Sequence, residues 1–94
     1  MKFEFDHAKS KVNKEKHGVG FEEAQAIWQE AYVEIVDRGS DELRWIAIGR
    51  IGDRLYACVY THRGETIRLI SCRRTREKEA QLYYDHLKES VRKS

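Results

Sequence analysis

The first residues alternate with a period of two: Phe3 and Phe5 against Lys2 and Glu4, the pattern of a short half-buried strand. Asp6 ends it. Aspartate is a favoured helix N-cap, and residues 6–16 read as a helix with Ala8 and Val12 turned inward and Gly18 past its end as C-cap. Lys9, Asn13 and Lys16 fall three and four apart and share its other side. A second helix is expected over residues 19–28. It turns Phe21, Ala24 and Ile27 or Trp28 inward and places Glu22 and Glu23 in its first turn, where carboxylates suit the positive helix end.

Alternation returns over residues 31–36 as a strand, and residues 37–42 form an aperiodic polar loop. A meander follows, with strands over 43–51, 55–62 and 65–74 joined by turns at Gly52-Asp53 and around Arg63-Gly64. Connections that short make antiparallel neighbours. A turn centred on Arg63-Gly64 sets Tyr60 opposite Ile67 and Cys58 opposite Leu69, and a one-residue slip sets Cys58 opposite Ile70. Neither register brings Cys58 to Cys72, so two buried, reduced thiols are expected. Beyond Arg74, Ala80, Tyr84, Leu87 and Val91 recur at four, three and four. They form the inner stripe of a third helix starting near Thr75, with Glu79 and Tyr83 on the line beside it.

The order strand, helix, helix, four strands, helix specifies an α+β fold. A mostly antiparallel sheet of about four to five strands carries two N-terminal helices and one C-terminal helix. A chain of 94 residues that is 40% hydrophobic supports one core and not two, so residues 1–94 form a single domain. Charged residues reach 36% but nearly balance at a net +2, which does not fit the disordered, highly charged class. The balance hides a division. Residues 1–17 carry five lysines against three acids, residues 18–66 five arginines against nine acids, and residues 67–94 eight bases against four acids. Two basic ends that meet in the fold make one positive surface, the footprint of a nucleic-acid partner; an unevenly charged solvated surface is the plainer alternative. No apolar run approaches membrane-spanning length, so a soluble cytoplasmic protein with no membrane partner is expected.

A nucleotide-binding glycine loop, a metal-ligand quartet and a Gly-x-Ser-x-Gly elbow are all lacking, so no cofactor or metal is expected. What remains is a set of cations at element ends: Lys16, His17, Arg50, Arg68, Arg73 and Arg74. On a regular strand Ser71 and Arg73 share a face with Ile67 and Leu69, while Arg68, Ile70, Cys72 and Arg74 point the other way. Arg68 and Arg73 therefore meet in one pocket only if the strand twists or bulges near Ser71. Each residue also has a plainer role. His17 can be a C-terminal helix cap, Arg68 can pair with an acid such as Glu34, and Arg74 can be a surface cation. Tyr56 and Tyr60 can be sheet packing, although tyrosines beside arginines are what single-stranded RNA stacks on.

Four stretches together resemble the BrnT ribonuclease toxins of bacterial toxin–antitoxin pairs. They are Phe3-Glu4-Phe5-Asp6 with Lys9; Asn13 with Lys16-His17-Gly18-Val19, Phe21 and Ala24; Arg44 with Ile46-Ala47-Ile48-Gly49-Arg50; and Ile67-Arg68-Leu69-Ile70-Ser71 with Arg73, Glu79 and Tyr83. The departures touch capping and packing. Gly20 stands where the family commonly has a capping serine, Phe5 where tryptophan is usual, and Cys72 and Thr75 where small alanines are typical. The resemblance implies a RelE-like fold, metal-independent RNA cleavage that inhibits translation, and neutralisation by a BrnA-type antitoxin. That partner binds DNA as a dimer, so DNA is reached only indirectly.

Cleavage of that kind needs a base for the 2′-hydroxyl, cations for the phosphoryl oxygens and an acid for the leaving 5′-oxygen. Arg68 and Arg73 suit the charge, with Ser71 beside them; His17 or Glu79 suits the base; His17, Lys16 or Tyr83 suits the acid. Arg50, Tyr60 and Arg74 are candidate RNA contacts. The alternatives are a non-catalytic module that binds RNA or an acidic protein through the same surface, and an inert dimerisation partner.

Overall fold

The structure, a computed structural model, describes residues 1–39 and 41–93, with side chains through residue 89. Five strands, β1 (Lys2–Glu4), β2 (Val33–Asp37), β3 (Arg44–Ile51), β4 (Arg54–Arg63) and β5 (Thr66–Arg74), form one sheet in the order β1-β5-β4-β3-β2. All neighbours are antiparallel except β1 on β5. Helices α1 (His7–His17) and α2 (Phe21–Ala24), with a 3-10 segment over Gln25–Gln29, precede β2, and α3 (Glu77–Lys93) follows β5. The expected α+β arrangement is what the chain adopts.

The helices divide between the two faces of the sheet, and each division follows from strand alternation. Under the N-terminal helices Phe21, Ala24 and Ile27 pack on Ala47, Cys58, Tyr60, Leu69 and Cys72. Trp28 meets Phe3 and Tyr60 edge-on at 5.1 and 5.2 Å between ring centres. Gly49 permits this approach: a Cβ there would stand 2.9 Å from Ile27 Cγ2. On the opposite face α3 packs Ala80, Tyr83 and Leu87 over Val33 and Ile35 of β2, Ile46 and Ile48 of β3, and Leu55 and Ala57 of β4. Among the described residues that core takes nothing from β4 beyond Ala57 and nothing from β5 or β1.

Three features differ from the sequence expectation. Asn13, not Val12, is the buried residue of α1, and Val12 is 47% exposed. On α3 the inner aromatic is Tyr83 at 3% exposure, while Tyr84 is 45% exposed; the Val91 side chain lies outside the described residues. The β4–β5 register is the third. Tyr60 faces Leu69, Val59 faces Ser71 and Cys58 faces Cys72, because Ile70 is an extra, unpaired residue. Cys58 and Cys72 are both buried and free, as expected of their state but not of their positions.

Candidate active site

The bulge at Ile70 reverses the parity of the second half of β5. Arg68, Ser71 and Arg73 face Thr61, Val59 and Ala57, alternate residues of β4, so all three project from the α3 side of the sheet. Cys72 and Arg74 take the other side, where Cys58 and Tyr56 lie opposite them. The one-residue irregularity near Ser71 that a common site requires is present.

Beyond Arg68, β5 has no strand on its outer edge, because β1 pairs with it only as far as that residue. Helix α1 takes up the position. Asp6 caps it by accepting from the Ala8 and Lys9 N–H groups at 2.8 and 3.1 Å, and Gly18 ends it at φ 83°. Asn13, 6% exposed, then acts as a strand surrogate. Its Oδ1 accepts from the Cys72 N–H at 3.1 Å, and its Nδ2 donates to the Cys72 and Val19 carbonyls, each at 2.8 Å. Since both Cys72 backbone groups point at Asn13, Cys58 and Cys72 form a non-hydrogen-bonded pair, the closer kind across antiparallel strands. The Cys58 thiol is pushed well up, first by its hydrogen bond with Cys72 and then by burial.

The same docking lays Lys9, Val12, Lys16 and His17 along a cleft of about 350 Å³ whose other wall is Ile70 and Ser71. Lys16 and His17 are exposed in the last turn of α1, a position that favours cations. Ser71 belongs both to this cleft and to the row with Arg68 and Arg73. Ser10 adds a further tie: its Oγ accepts from the Phe21 N–H at 2.8 Å, supplying from α1 the hydroxyl that Gly20 lacks.

Arg73 is held by Glu79. The two form a bidentate pair at 2.8 and 2.9 Å, and Glu79 also accepts from the Arg76 N–H at 2.8 Å, as an acid at the third helical position does. The Arg73 guanidinium beside it, with the Arg76 N–H, holds the Glu79 carboxyl below its ordinary range; in turn Glu79 raises Arg73. Both Glu79 oxygens are committed and its basicity is lowered, so it is poorly suited to take a proton. Tyr83, one turn on, is buried among Ile48, Leu55 and Ala57.

The remaining candidates scatter. Arg68 lies 3.7 Å from Glu4, not against Glu34, which instead accepts from the Tyr60 hydroxyl. Tyr60 is fully buried on the N-terminal helix side, so its ring offers no face for a base. Arg74 sits 5.7 Å over the Tyr56 ring on that same side. Arg50 is half-buried on the α3 side, two residues past Ile48, whose β4 neighbour Ala57 also faces Arg73. Among the described residues no three His, Cys, Asp or Glu side chains converge as a metal-ligand set.

Residues 5–79 match the sequence model of a family described as the ribonuclease toxin, BrnT, of a type II toxin–antitoxin system. The chain belongs to the BrnT family of ribonuclease toxins. The BrnT match begins at Phe5 and ends at Glu79, so it takes in Lys16, His17, Arg68, Ser71 and Arg73. Among solved structures the chain is similar to the crystal structure of the Brucella abortus ribonuclease toxin BrnT. The TM-score is 0.62 at 26% identity, over 82% of this chain and 99% of that one. Comparison with curated proteins gives no match. As a BrnT-family member the chain has an antitoxin as partner and RNA as substrate. No described helix is long and apolar enough to cross a membrane.

Asn13, named in the resemblance but otherwise read as part of a polar outer face, is the residue whose anchoring role sequence reasoning passed over. The signal was indirect: Ala8 and Val12 are too small an apolar stripe to seat a helix on a sheet, so a polar anchor was needed.

Proposed function

We propose that the chain is an endoribonuclease that cleaves RNA without a metal ion and so inhibits translation in the cytoplasm. The bulge at Ile70 carries this reading, because it aligns Arg68, Ser71 and Arg73 while leaving Ser71 in the cleft with Lys16 and His17. The 2′-hydroxyl attacks the adjacent phosphorus as the bond to the 5′-oxygen breaks, leaving a 2′,3′-cyclic phosphate and a 5′-hydroxyl. His17 takes the 2′ proton, which leaves Lys16 to neutralise the phosphate and protonate the departing oxygen. Arg73 and the Ser71 hydroxyl stabilise the charge that builds on the phosphoryl oxygens, work that cations do without a metal.

Glu79 positions Arg73, and Tyr83 packs behind that pair; neither carries a proton in this reaction. Arg68 and Arg50 face the same side of the sheet and hold flanking backbone. The partner is a BrnA-type antitoxin that binds DNA as a dimer, and a cleft with lysines along one wall suits an acidic segment of it.

The test is an RNA gel with purified protein in excess chelator. Products with free 5′-hydroxyls, labelled by a kinase without phosphatase treatment, are expected. Dependence on added magnesium would overturn the metal-free step. RNA binding that weakens steeply with salt, with no product, would make the chain a binding module instead.

A further inference from the structure

The face that carries Ser71 and Arg73 continues toward β1, and there the register gathers a second set of charges. Lys2 of β1 aligns with Thr66 and through it with Arg63 of β4; Glu4 aligns with Arg68 and through it with Thr61. Alternation puts Lys2, Glu4, Arg63 and Arg68 on one side. Glu4 Oε1 lies 3.6 Å from Arg63 Nε and 3.7 Å from Arg68 Nη1. Both separations exceed hydrogen-bond length, and that oxygen is buried with no hydrogen-bond partner. Asp6, whose carboxylate also feels Arg68, is committed to the α1 N-terminus.

The contrast with Arg73 is informative. Glu79 takes two Arg73 donors in a fork, whereas Glu4 draws two guanidiniums together and, among the described residues, accepts a hydrogen bond from neither. Glu4 therefore satisfies its two guanidiniums less completely than Glu79 satisfies Arg73. Arg68 and Arg73 face Thr61 and Ala57, four residues apart on β4, which separates them by about 13–14 Å of strand.

We infer that Arg63 and Arg68, drawn together by Glu4, form a second anion position that grips a backbone phosphate of the RNA strand beyond the scissile one. This rests on the RNA-cleaving reading above. Guanidinium forks match phosphate, and the pair extends the site into a track toward the β5–β1 end of that face.

The experiment measures affinity of the full chain for a 2′-O-methylated, uncleavable RNA oligonucleotide across a salt series. Arg63→Ala is expected to weaken binding several-fold at low salt and to flatten the slope of log K against log salt by about 0.7, the value of one single-strand phosphate contact. Arg63→Lys should keep the slope, and Arg38→Ala, on the loop at the far edge, should change neither slope nor affinity. An unchanged slope in Arg63→Ala while the unmodified chain still binds overturns the subsite alone. Failure of the unmodified chain to bind overturns the subsite together with the RNA reading.

Discussion

Asn13 and Cys72 stand 59 positions apart in the chain, and the side chain of one takes the place of a neighbouring strand for the backbone of the other. Replacing Asn13 with alanine strips partners from the Cys72 N–H and from the Val19 and Cys72 carbonyls, all out of reach of bulk water. The expected loss is about 2–4 kcal/mol of stability, read from urea unfolding. The loss should exceed that of Val12→Ala, since Val12 is half exposed.

Glu79→Gln removes the charge that orients Arg73 and one of the two oxygens of the fork, while its amide oxygen can still accept from the Arg76 N–H. A stability loss of about 1–3 kcal/mol at pH 7 is expected, with cleavage falling alongside it. The pH dependence has a definite sign. The folded carboxyl titrates below its ordinary value of about 4.5, so the stability it contributes is complete above that pH and lost as pH falls through the folded value. The unmodified chain and Glu79→Gln should therefore begin to converge in thermal melts as the pH falls below about 4.5 and meet only below the folded value.

His17→Ala tests the chemistry apart from the fold, because His17 is exposed at a helix end. Cleavage should fall about 10²–10⁴-fold with the melting temperature nearly unchanged. Full cleavage by this variant would remove His17 from the reaction.

Deleting Ile70 should do far more damage than Ile70→Ala. The substitution trims one half-buried side chain. The deletion restores strict alternation, so either Ile67 and Leu69 or Cys72 must leave the core. Far-UV circular dichroism and melting should show a folded alanine variant and a badly destabilised deletion.

Cys58 and Cys72 should resist a thiol reagent in the native chain and react only on unfolding. Both are buried, and the Cys58 thiol is held protonated by its neighbour and by burial. Reaction at native rates equal to those in denaturant would contradict the packing described.

Much of this was legible in the chain. Asp6 and Gly18 bound α1 through local cap chemistry, and the meander followed from turns at Gly52 and Gly64, both at positive φ. What stayed hidden depends on partners distant in sequence. Period alone put Val12 inward, but the free edge of β5 demanded Asn13. It put Tyr84 inward, although Tyr83 is the ring that reaches Ile48 and Ala57. A bulge leaves no local mark at Ile70, so the opposition of Cys58 and Cys72 was missed. Tyr60 has the composition of an RNA contact, yet it lies beneath Trp28 with its hydroxyl on Glu34. A bulge near Ser71 was the condition for Arg68 and Arg73 to share a side of the sheet; the bulge puts them there, but about 13–14 Å of strand keeps them out of one pocket.

The docking of α1 on β5 also bears on when the toxin becomes dangerous. Lys16 and His17 leave the ribosome early in synthesis, while the strand they must meet, Thr66–Arg74, comes some fifty residues later. Until then α1 has no edge to occupy and Asn13 no backbone to clasp. A nascent chain holding only its first half therefore carries Lys16 and His17 without Arg68, Ser71 and Arg73. The two walls of the cleft meet only once β5 has been made.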